Sequence, residues 1–254
     1  MGMLDGKVAI ITGGAKGMGE ATAKLFAENG AKVVIADIDV SGGERVTNEI
    51  KETGGEAAFV RADISKGEEV KGMVDFAVET YGELNVAVNN AAKIPDDKPF
   101  GEMADEDIDA LFDIDLKGNI LCLKYELIQM EKQGKGGAIV NISSISGIRP
   151  QPANPLYVTA KHGIIGATKT AAMDYSPKGI RINSIAPGAV DTPMLREALE
   201  HFNLEPVSYA KQLSLLGRFA DPREIAQGTM WLCSDAASFV TGQVLAVDGG
   251  YTAM

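Results

Sequence analysis

Short apolar runs alternate with stretches of helical period along nearly the whole chain. Val8-Ala-Ile-Ile11 is the first run. A glycine-rich turn follows it, then a helical stretch from about Met18 to Asn29, which Gly30 ends in the left-handed conformation that helix ends favour. Lys32-Val-Val-Ile-Ala36 is a second run, followed by a helix from about Gly43 to Glu52 closed by Gly54-Gly55. Glu56 to Val60 reads as a third strand, Glu68 to Tyr81 as a third helix, and Leu84 to Val88 as a fourth strand. A long periodic segment then runs from about Asp105 to Gln133. Ala138 to Ile142, Ile180 to Ile185 and Val244 to Val247 complete the strands, with helical pieces between them.

Apolar runs without polar alternation belong to strands buried on both faces. Strands separated by helices predict a parallel sheet with right-handed crossovers. The chain therefore reads as one α/β domain over residues 1–254, a doubly wound Rossmann fold on a parallel seven-stranded sheet. No internal repeat or linker divides it. The least regular stretch, about 189–219, follows the sixth strand on the side where such sheets bind ligands, so it is expected to form a substrate loop.

Composition narrows the class. A net charge of −11 argues against nucleic-acid or anionic-membrane partners and leaves a small molecule as the expected one. Cys122 and Cys233 form no Cys-x-x-Cys and read as buried thiols in a reducing cytoplasm. The first residues lack the basic, apolar, small-residue order of a secretory leader, and no apolar run approaches a membrane span. His162 and His201 stand apart from any cluster of ligands, so no catalytic metal is expected.

Two motifs carry chemistry. The first strand runs into Thr12-Gly13-Gly14-Ala15-Lys16-Gly17-Met18-Gly19. Glycines there allow a tight turn and close approach of backbone N–H groups to a pyrophosphate at a helix N-terminus. The second strand leads to Asp37, where a carboxylate accepts hydrogen bonds from the ribose of NAD and repels a 2′-phosphate. Ile38 follows, with no arginine to receive that phosphate. Lys16 is a mild signal the other way, and NAD is the expected cofactor. The second motif is Ser144…Tyr157-Val-Thr-Ala-Lys161. Residues four apart share a helix face, so the lysine's charge reaches the phenol and favours its ionised form. Such a tyrosine can pass a proton to or from an alcohol.

With these motifs in this order, the chain resembles the short-chain dehydrogenase/reductase family nearly end to end, and its ending from Ser238 resembles that of the family's NAD-dependent secondary and cyclic alcohol dehydrogenases. Further matches are Asp63-Ile64, Asn89-Asn90-Ala91-Ala92, Ser144-x-x-Gly147, Pro187-Gly188-Ala-Val190-Asp-Thr192 and Asp248-Gly-Gly250. The resemblance implies Tyr157 as general acid/base, Ser144 as the residue orienting the substrate oxygen, and Lys161 as the group that tunes Tyr157 and binds the nicotinamide ribose. It places the cofactor against Gly13, Lys16, Gly17, Met18, Gly19, Asp37, Ile38, Asp63, Ile64, Asn90, Ala91, Ala92, Pro187, Gly188, Val190 and Thr192. It also implies a homotetramer, built through the 105–133 segment, the Tyr157 helix and the C-terminal strand.

Two positions depart from the pattern. Ala92 replaces a glycine. Asp115 stands where the family carries asparagine, the fourth member of its catalytic set. A carboxylate there either tunes Lys161 or is a bland replacement.

The expected substrate walls are Ile94, Pro95, Ile145, Ser146, Gln151, Met194, Leu195 and Leu199, with no lysine or arginine placed to clamp a carboxylate. These walls favour a neutral, hydrophobic secondary alcohol or ketone, alicyclic in form. A 3-oxoacyl carrier-protein reductase, a hydroxysteroid dehydrogenase and an NAD-sensing regulator remain as alternatives.

Overall fold

The computed structural model describes residues 2–254. In chain order the elements are β1 (Val8–Thr12), α1 (Gly17–Glu28), β2 (Lys32–Asp37), α2 (Val40–Glu52), β3 (Glu56–Arg61), α3 (Gly67–Tyr81) and β4 (Val86–Asn89). After them come α4 (Asp105–Phe112), α5 (Asn119–Gln133), β5 (Gly137–Ile142), α6 (Pro155–Tyr175), β6 (Ile180–Pro187), α7 (Pro193–His201), α8 (Pro206–Leu213), α9 (Pro222–Cys233) and β7 (Val244–Val247).

All strands pair in parallel, in the order β3-β2-β1-β4-β5-β6-β7. The seven-stranded parallel sheet and the single α/β domain are as the apolar runs predict. Successive residues of one strand feed opposite faces. Ile10, Val34, Ala87, Ile139 and Ile182 pack with α3, α5 and the end of α6. Ile11, Ile35, Val88, Val140 and Ile185 pack with α1, α2 and α9. The middles of β1, β2, β4 and β5 are apolar because both faces are covered. Gly30 and Gly54 close α1 and α2 with φ of +86° and +84°, a conformation open to glycine at little cost.

Strand order reverses between β1 and β4, which opens a crevice at their C-terminal ends. The Thr12 hydroxyl ties the two ends together. It accepts the N–H groups of Asn90 and Ala91 at 3.0 and 3.1 Å.

Two sequence expectations change. The segment 105–133 is not one helix: a π-helical turn, Asp113–Gly118, separates α4 from α5. The buried positions Leu111, Asp115, Asn119, Cys122, Glu126 and Met130 explain it. They span nineteen residues in five turns, where an α-helix takes about eighteen, and the wide turn absorbs the extra residue. The stretch 189–219 is also more regular than expected, since α7 and α8 lie in it. Each starts with proline at the first helical position, behind a capping side chain: Thr192 accepts from Leu195 N–H, and Glu205 from Val207 and Ser208 N–H.

Candidate active site

A cleft of about 420 Å³ opens at the crevice between β1 and β4. Its floor is the glycine turn, with Gly13, Lys16, Gly17 and Met18. Gly17 is the first residue of α1, so unpaired helix N–H groups face the cleft. Gly13 has a φ of +65°, and a Cβ there would press on Asn90 and Ala91. Asn90 holds the turn from above, its amide donating to the carbonyls of Thr12 and Gly13 at 3.0 and 3.2 Å. An anion is served here by backbone N–H groups and a helix end, and a dinucleotide pyrophosphate fits both.

Asp37 closes one end of the cleft. Its carboxylate accepts Ala15 N–H at 3.0 Å and Asp39 N–H at 3.0 Å. Arg45 bonds the carbonyl of the same Ala15 at 3.0 Å and is otherwise engaged with Glu20 at 2.7 Å and Glu49 at 2.9 Å. Asp63 and Ile64 line the same region. Burial pushes the Asp63 carboxyl up, but the Ser65 hydroxyl and N–H outweigh it and hold the group below its ordinary value.

At the other end stand Tyr157 and Lys161, one turn apart on α6. The Lys161 ammonium lies 5.1 Å from the centre of the Tyr157 ring. Its side chain is 3% exposed and reaches the Ile142 carbonyl at 3.4 Å. Asp115 faces it: Oδ2 is 3.4 Å from Lys161 Nζ, close enough for an ion pair but without hydrogen-bond geometry. The other oxygen, Oδ1, accepts Lys93 N–H at 2.7 Å.

Ser144 begins a short turn after β5 and accepts Ser146 N–H at 3.1 Å, which leaves its own O–H to donate. The neighbouring Ser143 hydroxyl donates to Lys161 O at 2.9 Å, fastening this turn to α6. Gly147 sits at that junction. A Cβ there would collide with Ser143 Oγ and the Lys161 carbonyl, which explains the glycine of Ser144-x-x-Gly147.

Asn90, Ala91, Ala92, Ile38, Thr192 and Met194 also line the cleft. Ala92 needs no glycine, because among the described non-glycine residues only Ala153 and Asn203 have positive φ. Other residues lie outside the lining. Gly19 and Gly188 are packing positions, where a side chain would strike the Gly13 carbonyl and Asp248 respectively. Val190 is buried and bridges to Ala220. Pro187 is the last residue of β6, paired with Val247. Ile145, Ser146 and Leu199 are buried, and Ile94 is 55% exposed. Gln151 and Leu195 are half-buried and also lie outside the lining.

The geometry adds two residues that motif reading missed. Lys93 lines the cleft, although no lysine was expected at the substrate side. Asp96 bonds the first turn of α6 from 60 residues away, and no local pattern marks it. Among the described residues no group of three His, Cys, Asp or Glu side chains is placed to hold a metal, and no helix is long and apolar enough to cross a membrane.

Residues 13–252 match the profile of a family described as enoyl-(acyl carrier protein) reductase. The chain belongs to this short-chain dehydrogenase/reductase family and is an oxidoreductase of it. It is 44% identical over 255 residues, 100% of both chains, to a 2,5-dichloro-2,5-cyclohexadiene-1,4-diol dehydrogenase of Sphingobium indicum. It is 40% identical to the cyclohexanol dehydrogenase of an Acinetobacter species, covering 98% of this chain and 96% of that one. The crystal structure of levodione reductase superposes with a TM-score of 0.94 at 34% identity, over 98% of this chain and 99% of that one.

Proposed function

We propose that this protein is an NAD-dependent dehydrogenase that interconverts a neutral, hydrophobic, alicyclic secondary alcohol and its ketone, with Tyr157 as general acid/base. The observation that carries the reading is the buried lysine, 2% exposed, beneath the Tyr157 ring. A cation is taken out of water at a cost, and its neighbours here are a phenol, a carbonyl and Asp115. Its charge stabilises the phenol oxygen as that oxygen gains negative charge. Tyr157 thus takes the alcohol proton during oxidation and returns it during reduction. Ser144 holds the substrate oxygen by its O–H. NAD bound in the cleft supplies the hydride acceptor.

Asp37, Lys161 and the glycine turn would hold the ribose and pyrophosphate, Asp63 and Ile64 the adenine, and the Pro187–Thr192 segment the nicotinamide. Asp37 favours NAD, and Arg45 is too committed to Glu20 and Glu49 to receive a 2′-phosphate. Lys16 acts in the opposite direction and is outweighed, because Asp37 meets the 2′ position itself. Ring substrates are favoured by relatives named for a cyclohexadiene diol and cyclohexanol, and by the apolar Met194 in the cleft lining.

A homotetramer in the cytoplasm completes the reading. Ile120 and Ile128 on α5, Met173 on α6 and Phe239 before β7 are exposed apolar side chains on the elements expected to meet symmetry mates. Both thiols are buried and unpaired, which suits a reducing compartment. Light scattering that returned a monomer would remove the tetramer.

A second reading, reduction of a carrier-bound acyl group, draws on the family's description as enoyl-(acyl carrier protein) reductase. The net charge of −11 works against docking an acidic carrier.

The test is reduced-cofactor formation with NAD, and separately NADP, over linear, cyclic and steroidal secondary alcohols, with reduction of an acetoacetyl thioester alongside. The expected result is NAD-dependent turnover, highest on cyclic alcohols, that falls by about 10²–10⁴-fold in Tyr157→Phe. Tight NAD binding with no turnover on any substrate would favour the regulator instead.

A further inference from the structure

The loop leaving β4 is bonded at two points to the residues around Lys161. Lys93 N–H donates to Asp115 Oδ1 at 2.7 Å. Three residues further on, Asp96 turns its carboxylate onto the first turn of α6. Oδ1 accepts Tyr157 N–H at 2.8 Å and Oδ2 accepts Leu156 N–H at 3.1 Å. The Asp96 carbonyl also accepts from the Asn154 side-chain amide.

The first N–H groups of a helix have no acceptor within the helix. Asn154 occupies the capping position, yet its side chain caps nothing. Pro155 follows and has no N–H to offer. The two N–H groups that remain belong to Leu156 and Tyr157, and Asp96 takes both. A single carboxylate from a distant loop therefore does the work of a cap, and one of its bonds is to the backbone of Tyr157. Bonds to an ionised acceptor are roughly twice as strong as neutral ones, and a helix N-terminus favours a negative charge.

We infer that Asp96 is a positioning residue for Tyr157: it joins the loop bearing Ile94 and Pro95 to the backbone of the proton-transferring residue. The inference rests on the reading of Tyr157 as acid/base. The other anchor of this loop, Lys93, lines the cleft. Cleft wall and phenol are thus held at one spacing, and a substrate that seats against that wall meets a phenol already in place. Misplacement by about 1 Å is enough to cost on the order of 100-fold in rate.

The experiment compares the wild-type protein with Asp96→Asn and Asp96→Ala. Hydrogen exchange at Leu156 and Tyr157 and binding by fluorescence are followed with NADH, and kcat and KM on cyclic alcohols of increasing size with NAD. In Asp96→Ala, exchange at these two amides is expected to rise, NADH affinity to stay within about twofold, and kcat to fall roughly 10–100-fold. Asp96→Asn keeps one acceptor oxygen and is expected to recover part of the loss. Unchanged exchange would overturn the inference. So would a fall in kcat matched by equal falls in NADH affinity and thermal midpoint, since that pattern is a general loss of fold. Should the wild-type protein turn over no alcohol, the proposed function fails on its own. Exchange at Tyr157 then decides alone whether Asp96 holds that residue.

Discussion

Asp115 faces Lys161 across 3.4 Å, with the two side chains 0% and 3% exposed. The lysine charge therefore acts between two groups, the phenol above it and a carboxylate beside it. Attraction to the carboxylate offsets part of what the cation does for Tyr157. Asp115→Asn keeps an oxygen to accept Lys93 N–H and removes the charge. With NAD, kcat on cyclic alcohols is expected to rise in that variant while NADH affinity stays in place. An unchanged kcat would make Asp115 a bland replacement.

Glu126 sets a pH dependence of stability. It is 0% exposed on α5, and burial pushes its carboxyl up to about 7 against a partly offsetting hydrogen bond from Asn89. Its Oε2 accepts Asn89 Nδ2 at 2.9 Å, while its Oε1 and Asn89 Oδ1 have no partner. A proton on the carboxyl removes the charge that burial disfavours. The Asn89 amide also donates to Asn141 Oδ1, whose own amide donates to Thr168, so neither can turn over without losing a bond. Cys122, one turn away on α5, has a thiol held well above its ordinary value by burial and then by the Glu126 charge. The folded value for Glu126 lies above the ordinary 4.5, so its contribution is complete below about 4.5 and is lost as pH rises through about 7. Glu126→Gln carries no charge to bury. Relative to that variant, the wild-type protein is expected to lose about 3 kcal/mol over this window. Denaturant unfolding of both proteins at pH 4.5, 6 and 8 measures it, and a constant difference would contradict it.

Asp37 carries the expected choice of cofactor. A 2′-phosphate within about 5 Å of its carboxylate meets a repulsion of about 2–3 kcal/mol, on the order of 100-fold in affinity. Asp37→Ser removes that repulsion and also the acceptors of Ala15 and Asp39 N–H. The ratio of kcat/KM for NAD over NADP is expected to fall by about that factor, with the NAD value itself reduced. An unchanged ratio would contradict the assignment of that choice to Asp37.

Gly147 is a steric test of the junction beneath Lys161. Gly147→Ala sets a methyl against Ser143 Oγ and the backbone of Lys161. Overpacking of this kind costs about 1–3 kcal/mol, a drop of roughly 3–10 °C in thermal midpoint. Activity is expected to fall further than stability, because the group displaced is the lysine. A calorimetric scan with parallel kinetics distinguishes the two.

Much of this was readable along the chain, because local chemistry decides it. Apolar runs over Val8–Thr12 and Lys32–Asp37 signal strands covered on both faces wherever they occur. Glycine after β1 marks a turn, and a spacing of four puts Tyr157 over Lys161 on any helix. The starts of α7 and α8 were marked as well, by Thr192-Pro193 and Glu205-Pro206, signals that the irregular surroundings obscured.

The rest required the folded chain. Each strand and motif above depends on neighbours within a few residues, so its sequence suffices. The break at Asp113–Gly118 depends on which residues must face the core over five turns. The bond from Asp96 to Tyr157 joins segments 61 residues apart, and that from Asn89 to Glu126 joins segments 37 apart. Nothing about an aspartate in a loop or a glutamate in a helix says which amide it will meet. Only the packing of α5 and α6 against the ends of β4 and β5 brings those groups together and excludes the water that would otherwise satisfy them.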